Sequence, residues 1–261
     1  MSKADYSESD LKKALADIGI KKGDNIFIHS NIGFFGRMEN VSSADDLCGN
    51  YIQALKEAVG TEGTIVLPTF SYSFCHGEVF NPAITKSDCG MLTTYAYTKS
   101  DFVRSLDPNF SIAVWGDNAI YYTDNPTNES FGRGCFWERF LSTDGKIIFF
   151  NMDCSATFIH YVEKVCNVSY RYNKAFNGTV ELPNGECYRD YAVHFVTDGG
   201  INGYCGDALN QKCRKAGIVN KVELGKGTAM AIRAQEFYDL IVDTLKKEPK
   251  FLTLGGNSAN G

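Results

Sequence analysis

His160 and Glu163 stand three residues apart in the segment Ser155-Ala-Thr-Phe-Ile-His160-Tyr-Val-Glu163, just after the apolar run Ile147-Ile-Phe-Phe150. Residues at i and i+3 share one face of a helix. Histidine is the side chain best suited to move a proton near neutral pH. A carboxylate beside it can orient the ring or raise its basicity. The pair therefore predicts a general base with a helper, on a helix that follows a buried strand. The same spacing also occurs on plain solvated helix faces, so the pair has to be weighed with the other polar clusters of the chain.

Three further segments put polar groups in loops. His29-Ser30-Asn31-Ile-Gly33-Phe-Phe-Gly36 ends a short apolar run in a hydroxyl and a glycine-punctuated loop. Such loops present backbone N–H groups to phosphate or carbonyl oxygens. A connection with no ligand has the same composition. Gly63-Thr-Ile-Val-Leu-Pro68-Thr69-Phe-Ser71 ends a second run in two hydroxyls. Ligands of open α/β sheets sit beyond the carboxyl ends of the strands, where Ser30, Thr69, Ser71 and His160 converge if these strands are parallel. The alternative is that Thr69 and Ser71 only cap the turn after Pro68. Arg104-Ser105-Leu-Asp107-Pro108-Asn-Phe-Ser111 carries an Asp-Pro turn with flanking hydroxyls, a common loop composition that is uninformative alone. Of the other histidines, His76 falls in a polar loop and His194 on a predicted strand, where structural roles fit.

The elements that must position these groups follow from periodicity. Leu11, Leu15 and Ile18 predict a helix over 7–18 capped by Ser7 or Ser9. Asn25–His29 predicts a strand. A helix capped by Ser42 or Ser43 runs to about Val59, with Leu47, Tyr51 and Leu55 at spacing four. Gly63–Leu67 predicts the next strand, cut off at Pro68. Strand, helix, strand in that order argues for a parallel α/β unit. Residues 70–110 read as loop with a helix near 91–97, Ile112–Trp115 as a strand, 130–141 as loop and short helix, and 147–150 as a buried strand. On the helix that follows, Phe158, Ile159, Val162 and Cys166 share one face, with Thr157, His160, Glu163 and Lys164 largely on the other. A hairpin is predicted from 176–182 and 187–195 around Pro183-Asn184-Gly185. Helices over 204–216 and 228–247 flank a strand over 218–224. The fold class is α/β: a parallel N-terminal sheet with an antiparallel C-terminal part, one unit over 1–254, and a flexible tail at 255–261.

Bulk properties exclude several functions. A chain of 261 residues with net charge −5 lacks the clustered positive charge of a nucleic-acid or anionic-membrane binder, and suits a cationic substrate. No apolar run nears the length that spans a bilayer, and the polar N-terminus has no signal core. A cytoplasmic protein is expected, with nine cysteines held as reduced thiols. No His-Glu-x-x-His, paired-cysteine or EF-hand pattern occurs, so no metal is expected. No complete phosphate loop or Gly-x-Ser-x-Gly elbow occurs either.

Taken in order, the four segments resemble the aminoglycoside 3-N-acetyltransferase family, and the resemblance covers nearly the whole chain, including a C-terminal helix matched by 227–245. It implies an acyl-CoA-dependent N-acyltransferase using acetyl-CoA or a longer acyl-CoA. It implies cofactor contacts from His29, Ser30, Asn31, Gly33, Gly36, Thr69, Ser71 and Ser111. His160 becomes the base and Glu163 its orienting partner, and a homodimer is possible. Resistance enzymes of this family usually carry His where this chain has Asp107. The run from His160 through Tyr170-Arg171 to Phe176 looks more like the surface-sugar members, such as the anthrose-pathway N-acyltransferase. The leading expectation is therefore acylation of a nucleotide-linked amino sugar for surface glycans, and the alternative is aminoglycoside acetylation. Asp107 would then bind the substrate amino group.

Overall fold

The computed structural model describes residues 4–124, 127–182, 184–185, 187–188, 190–196 and 206–253. Helix α1 (Glu8–Asp17) starts at Ser7, whose hydroxyl accepts from the Asp10 N–H while the Asp10 carboxylate accepts from the Ser7 N–H. This reciprocal cap satisfies two donors that a helix start leaves unpaired. Strand β1 (Asn25–Ser30) is buried at every position but the last, the pattern of a central strand covered on both faces. Ser43 caps α2 (Ala44–Val59), and β2 (Thr64–Pro68) follows. Next come α3 (Met91–Lys99), β3 (Val103–Arg104), β4 (Ile112–Gly116), α4 (Ala119–Thr123), α5 (Phe136–Ser142), β5 (Lys146–Phe150) and α6 (Phe158–Val165). The chain continues through β6 (Arg171–Phe176), β7 (Val180–Glu181), β8 (Cys187–Tyr188), β9 (Tyr191–Val196), α7 (Gly206–Lys215), β10 (Asn220–Leu224), β11 (Gly227–Arg233) and α8 (Ala234–Lys247).

Seven strands form one sheet in the order β10-β11-β5-β1-β2-β4-β3. The central trio β5, β1 and β2 is parallel, with Phe27 opposite both Ile147 and Val66. The flanking pairs are antiparallel, β11 on β5 and β4 on β2. The predicted α/β class therefore holds, with antiparallel strands on both edges and not only in the C-terminal part. Side chains alternate between two cores. Ile26, Ile28, Ile148 and Phe150 pack with α1 and α2, while Phe27, Ile147 and Phe149 pack with Trp137, Phe140, Phe158 and Phe237. Ser30 and Thr69 thus leave the parallel trio on the same edge of the sheet, as expected, and Asn151 leaves β5 there too.

Two sequence expectations are corrected. Residues 228–233 are not helix: they form β11, pairing in register with β5, and the helix begins at Ala234. A run such as Thr-Ala-Met-Ala-Ile carries no period that excludes either state, and pairing with the open edge of β5 decides it. Gly227 also lets β11 approach, since a Cβ there would lie 1.7 Å from Asn151 Oδ1. The hairpin is nested, not continuous. Strand β6 pairs with β9 and β7 with β8, so the outer ribbon starts at Arg171. The break falls at Asn177-Gly178, where a Cβ on Gly178 would strike the Phe74 ring at 2.6 Å. The predicted start of the 204–216 helix and the tail at 255–261 lie outside the described residues.

Candidate active site

Strand β5 delivers the chain to the loop 151–157. Its turn is held by the Asp153 carboxylate accepting from Ser155 N at 3.0 Å and by Ala156 N donating to Cys154 O at 3.0 Å. Helix α6 then buries Phe158, Ile159, Tyr161 and Val162, which fixes the rotation of its polar residues. His160 keeps 27% of its side chain exposed, and its Nδ1 lies 2.8 Å from Glu163 Oε2. An edge-to-face contact with Phe131, centroids 5.6 Å apart, fixes the ring plane. Glu163 is only 1% exposed, so it does not share the solvated face expected for it. It turns inward, where Tyr170 Oη donates to its Oε1 at 2.9 Å and Arg171 Nε sits 2.6 Å from its Oε2.

The electrostatics of Glu163 follow from these neighbours. Burial is the largest influence and pushes its pKa up. The hydrogen bond and charge of His160, with the charge of Arg171, outweigh burial and hold it below the ordinary value. An ionised carboxylate only accepts, so Nδ1 of His160 carries the proton facing it. The lone pair of Nε2 is then free to accept a proton, as a general base requires.

The predicted loop residues divide into two groups. Gly33 is exposed on the 3-10 turn Ile32–Phe35, Asn31 is exposed just before it, and the Phe34 ring is 69% exposed. Nothing lies within 4 Å of a Cβ built on Gly33, so the backbone there is open to approach, whereas Gly36 has φ +88° and faces Asp5. Ser30 ends β1 half-buried. The hydroxyls of Thr69 and Ser111 are fully buried and close on each other at 2.9 Å, with Arg104 Nε donating to both. Ser71 Oγ is likewise spent on Ser73 and on Pro108 O. These three residues stand behind the sheet edge, joining the 69–73 and 105–111 loops.

Asp107 is buried, and its Oδ1 accepts from the N–H groups of Asn109 and Phe110 at 2.9 and 2.8 Å. Burial raises its pKa against these bonds and against Ser130 and Tyr191 beside it. Lys164, one turn beyond His160, is paired with Glu129. Among the described residues, no group of three or more His, Cys, Asp or Glu side chains could hold a metal ion.

His29 accepts from Thr157 N at 3.4 Å through Nε2 and stacks on Phe149. Burial drops its pKa to about 4, opposed by the charge of Asp153. The folded state therefore resists a proton that the unfolded chain takes up near the ordinary value of 6.5. Stability from this group is complete above that value and lost as pH falls toward 4. Between pH 7 and pH 5 the loss is about 2 kcal/mol. Urea midpoints at the two pH values should therefore converge in His29→Gln, and an unchanged difference would exclude His29 as its source.

The aminoglycoside 3-N-acetyltransferase family model matches residues 27–246. The chain belongs to this family. Membership makes it an N-acetyltransferase by descent, and solved structures similar to it agree in fold. AAC-VIa with bound sisomicin aligns at TM-score 0.80 and 18% identity, covering 93% of this chain and 98% of that one. AAC-IIIb in a binary complex with CoASH aligns at TM-score 0.77 and 20% identity, covering 92% and 96%. The YokD protein from Bacillus subtilis aligns at TM-score 0.74 and 17% identity, covering 90% and 97%. Among the described residues of this acetyltransferase, no helix is long and apolar enough to cross a membrane. The site residues that sequence reasoning passed over as chemistry are Phe131, Tyr170 and Arg171. The last two follow α6 directly, at seven and eight residues from Glu163, and that proximity was the available signal.

Proposed function

We propose that this chain acetylates an amine of an aminoglycoside-type amino sugar, using acyl-CoA as donor and His160 as general base. The observation that carries the reading is the buried, ionised Glu163 locked to His160 Nδ1 at 2.8 Å in a chain of this family. Amine acylation needs a neutral nucleophile and a donor at the developing oxyanion. His160 Nε2 takes the proton from the substrate ammonium or the attacking amine, and Glu163 stabilises the imidazolium that results. Bound acyl-CoA would supply the activated acyl group as a thioester, whose C–S bond breaks as the C–N bond forms, with coenzyme A leaving as the free thiol. The residues that would hold it are Ser30, Asn31, Gly33 and Gly36, helped by the exposed Phe34 ring. The N–H groups of Ile32 and Gly33 are the candidate oxyanion donors, because the Asn31 N–H is already given to Phe150 O and the Thr69 hydroxyl proton to Ser111. His29, kept neutral by burial, ties β1 to the start of α6. Thr69, Ser71, Ser111 and Asp107 act on this reading by fixing the loops beside the amine site.

A second reading, acylation of a nucleotide-linked amino sugar, is favoured by one observation. Asp107 stands where resistance members carry His. The two separate in a thiol-release assay with acetyl-CoA and longer acyl-CoAs, against sisomicin- and kanamycin-type acceptors and nucleotide-linked amino sugars. Turnover of the aminoglycosides is expected. Turnover of nucleotide sugars alone would establish the second reading, and release with no acceptor of either class would overturn both.

A further inference from the structure

We propose that Tyr170 and Arg171 are positioning residues that clamp Glu163 from both of its oxygens, and that Arg171 limits how strongly this carboxylate holds a proton on His160. The inference deepens the reading of His160 as the base and rests on it. Glu163 Oε2 is shared: His160 Nδ1 reaches it at 2.8 Å and Arg171 Nε at 2.6 Å. The Arg171 N–H does not point at the oxygen, and its buried Nε has no aligned hydrogen-bond partner. The contact is therefore an ion pair. Oε1 is held separately by the Tyr170 hydroxyl at 2.9 Å. Neither clamp residue belongs to α6. Tyr170 precedes β6 and Arg171 opens it, so the β6–β9 ribbon reaches the base through this carboxylate.

The consequence is a competition between two cations for one oxygen. A buried carboxylate facing an imidazolium alone favours the charged ring, which has no lone pair left to act as a base. A guanidinium on the same oxygen opposes this by Coulomb repulsion between the two cations. The charged and titratable groups on the elements packed around His160 are Glu163, Tyr170 and Arg171, the Lys164–Glu129 ion pair, and the Cys166 thiol, which burial holds protonated. Of these, only Arg171 is a cation in direct contact with Glu163.

The test is an NMR titration of the His160 imidazole in the full chain, assigned by the resonance lost in His160→Asn, beside pH profiles of kcat/KM with acetyl-CoA and sisomicin. In Arg171→Met the imidazole midpoint and the acid limb of the profile should both move up by about one pH unit. Arg171→Gln provides a second neutral variant should the methionine fail to fold, and Arg171→Lys should restore the wild-type midpoint. Tyr170→Phe should lower kcat about ten-fold at every pH without moving the midpoint, the mark of lost orientation. An unmoved midpoint in both neutral variants overturns the clamp. Full activity in His160→Asn overturns the base assignment instead, and the titration still decides the clamp.

Discussion

His160→Asn is expected to lower kcat by about 10²–10⁴-fold, the range for positioned general-base catalysis, while the KM for acetyl-CoA stays close to wild type. The split follows from where the group acts. His160 meets the amine proton only as the C–N bond forms, so its loss falls on the transition state and not on ground-state binding of the donor. Asparagine preserves a polar side chain at a position that is only partly exposed, so the fold is not the variable. Glu163→Gln should produce a smaller loss in kcat, because the amide can still accept from Nδ1 yet supplies no charge to the imidazolium. Glu163→Ala is different in kind. It strands the Tyr170 hydroxyl and the Arg171 guanidinium in a buried pocket, and breaking a buried pair costs about 3–5 kcal/mol. Steady-state kinetics with acetyl-CoA and sisomicin, run beside urea unfolding of each variant, separate the two effects. A His160→Asn enzyme within ten-fold of wild type would mean that the amine arrives neutral and attacks unassisted.

The parts of this site that are legible in the sequence are those set by local periodicity. The apolar run of β5 and the spacing of Phe158, Ile159 and Val162 fix a strand followed by an amphipathic helix, and His160 falls where the helix faces out. Ser30 and Thr69 fall at strand ends because β1 and β2 are short buried runs joined by a helix, and a strand–helix–strand unit pairs in parallel. What periodicity cannot supply is the partner across space. Glu163 reads as a surface carboxylate until Tyr170 and Arg171 fold back over it, and those two residues sit in a polar stretch with no strand signal. The same limit explains β11, whose state is decided by the open edge of β5 and not by its own residues. It also explains why Thr69 and Ser111, both reading as exposed loop hydroxyls, are buried. Their partner is Arg104, on a two-residue strand too short to announce itself.

Arg104 carries the second large effect. Arg104→Met should lower unfolding free energy by about 3 kcal/mol or more, with a fall in Tm of roughly 6–12 °C for a domain of this size. The guanidinium is buried, with no carboxylate partner among the described residues. Its Nη2 donates to Thr69 O at 2.7 Å, Nη1 to Thr85 O at 2.5 Å, and Nε to the Thr69 and Ser111 hydroxyls. Its plane lies over Tyr97 and Phe80, at 4.5 and 5.1 Å from their centroids. Burial lowers its pKa to about 10, so the charge persists at neutral pH and must be solvated by these groups. Methionine fills much of the volume but leaves buried acceptors unpaired, and each such acceptor costs about 1–3 kcal/mol. Lysine keeps the charge without the planar fork, so it cannot serve all four acceptors at once and should recover only part of the loss. Because the knot ties the 69–73 loop to the loop holding Asp107, the methionine variant should also lose activity at temperatures well below its Tm. Urea midpoints and kcat measured on the same samples check both halves. A loss of stability below about 1 kcal/mol, the worth of one ordinary hydrogen bond, would show that water replaces the guanidinium and that the knot does not hold these loops.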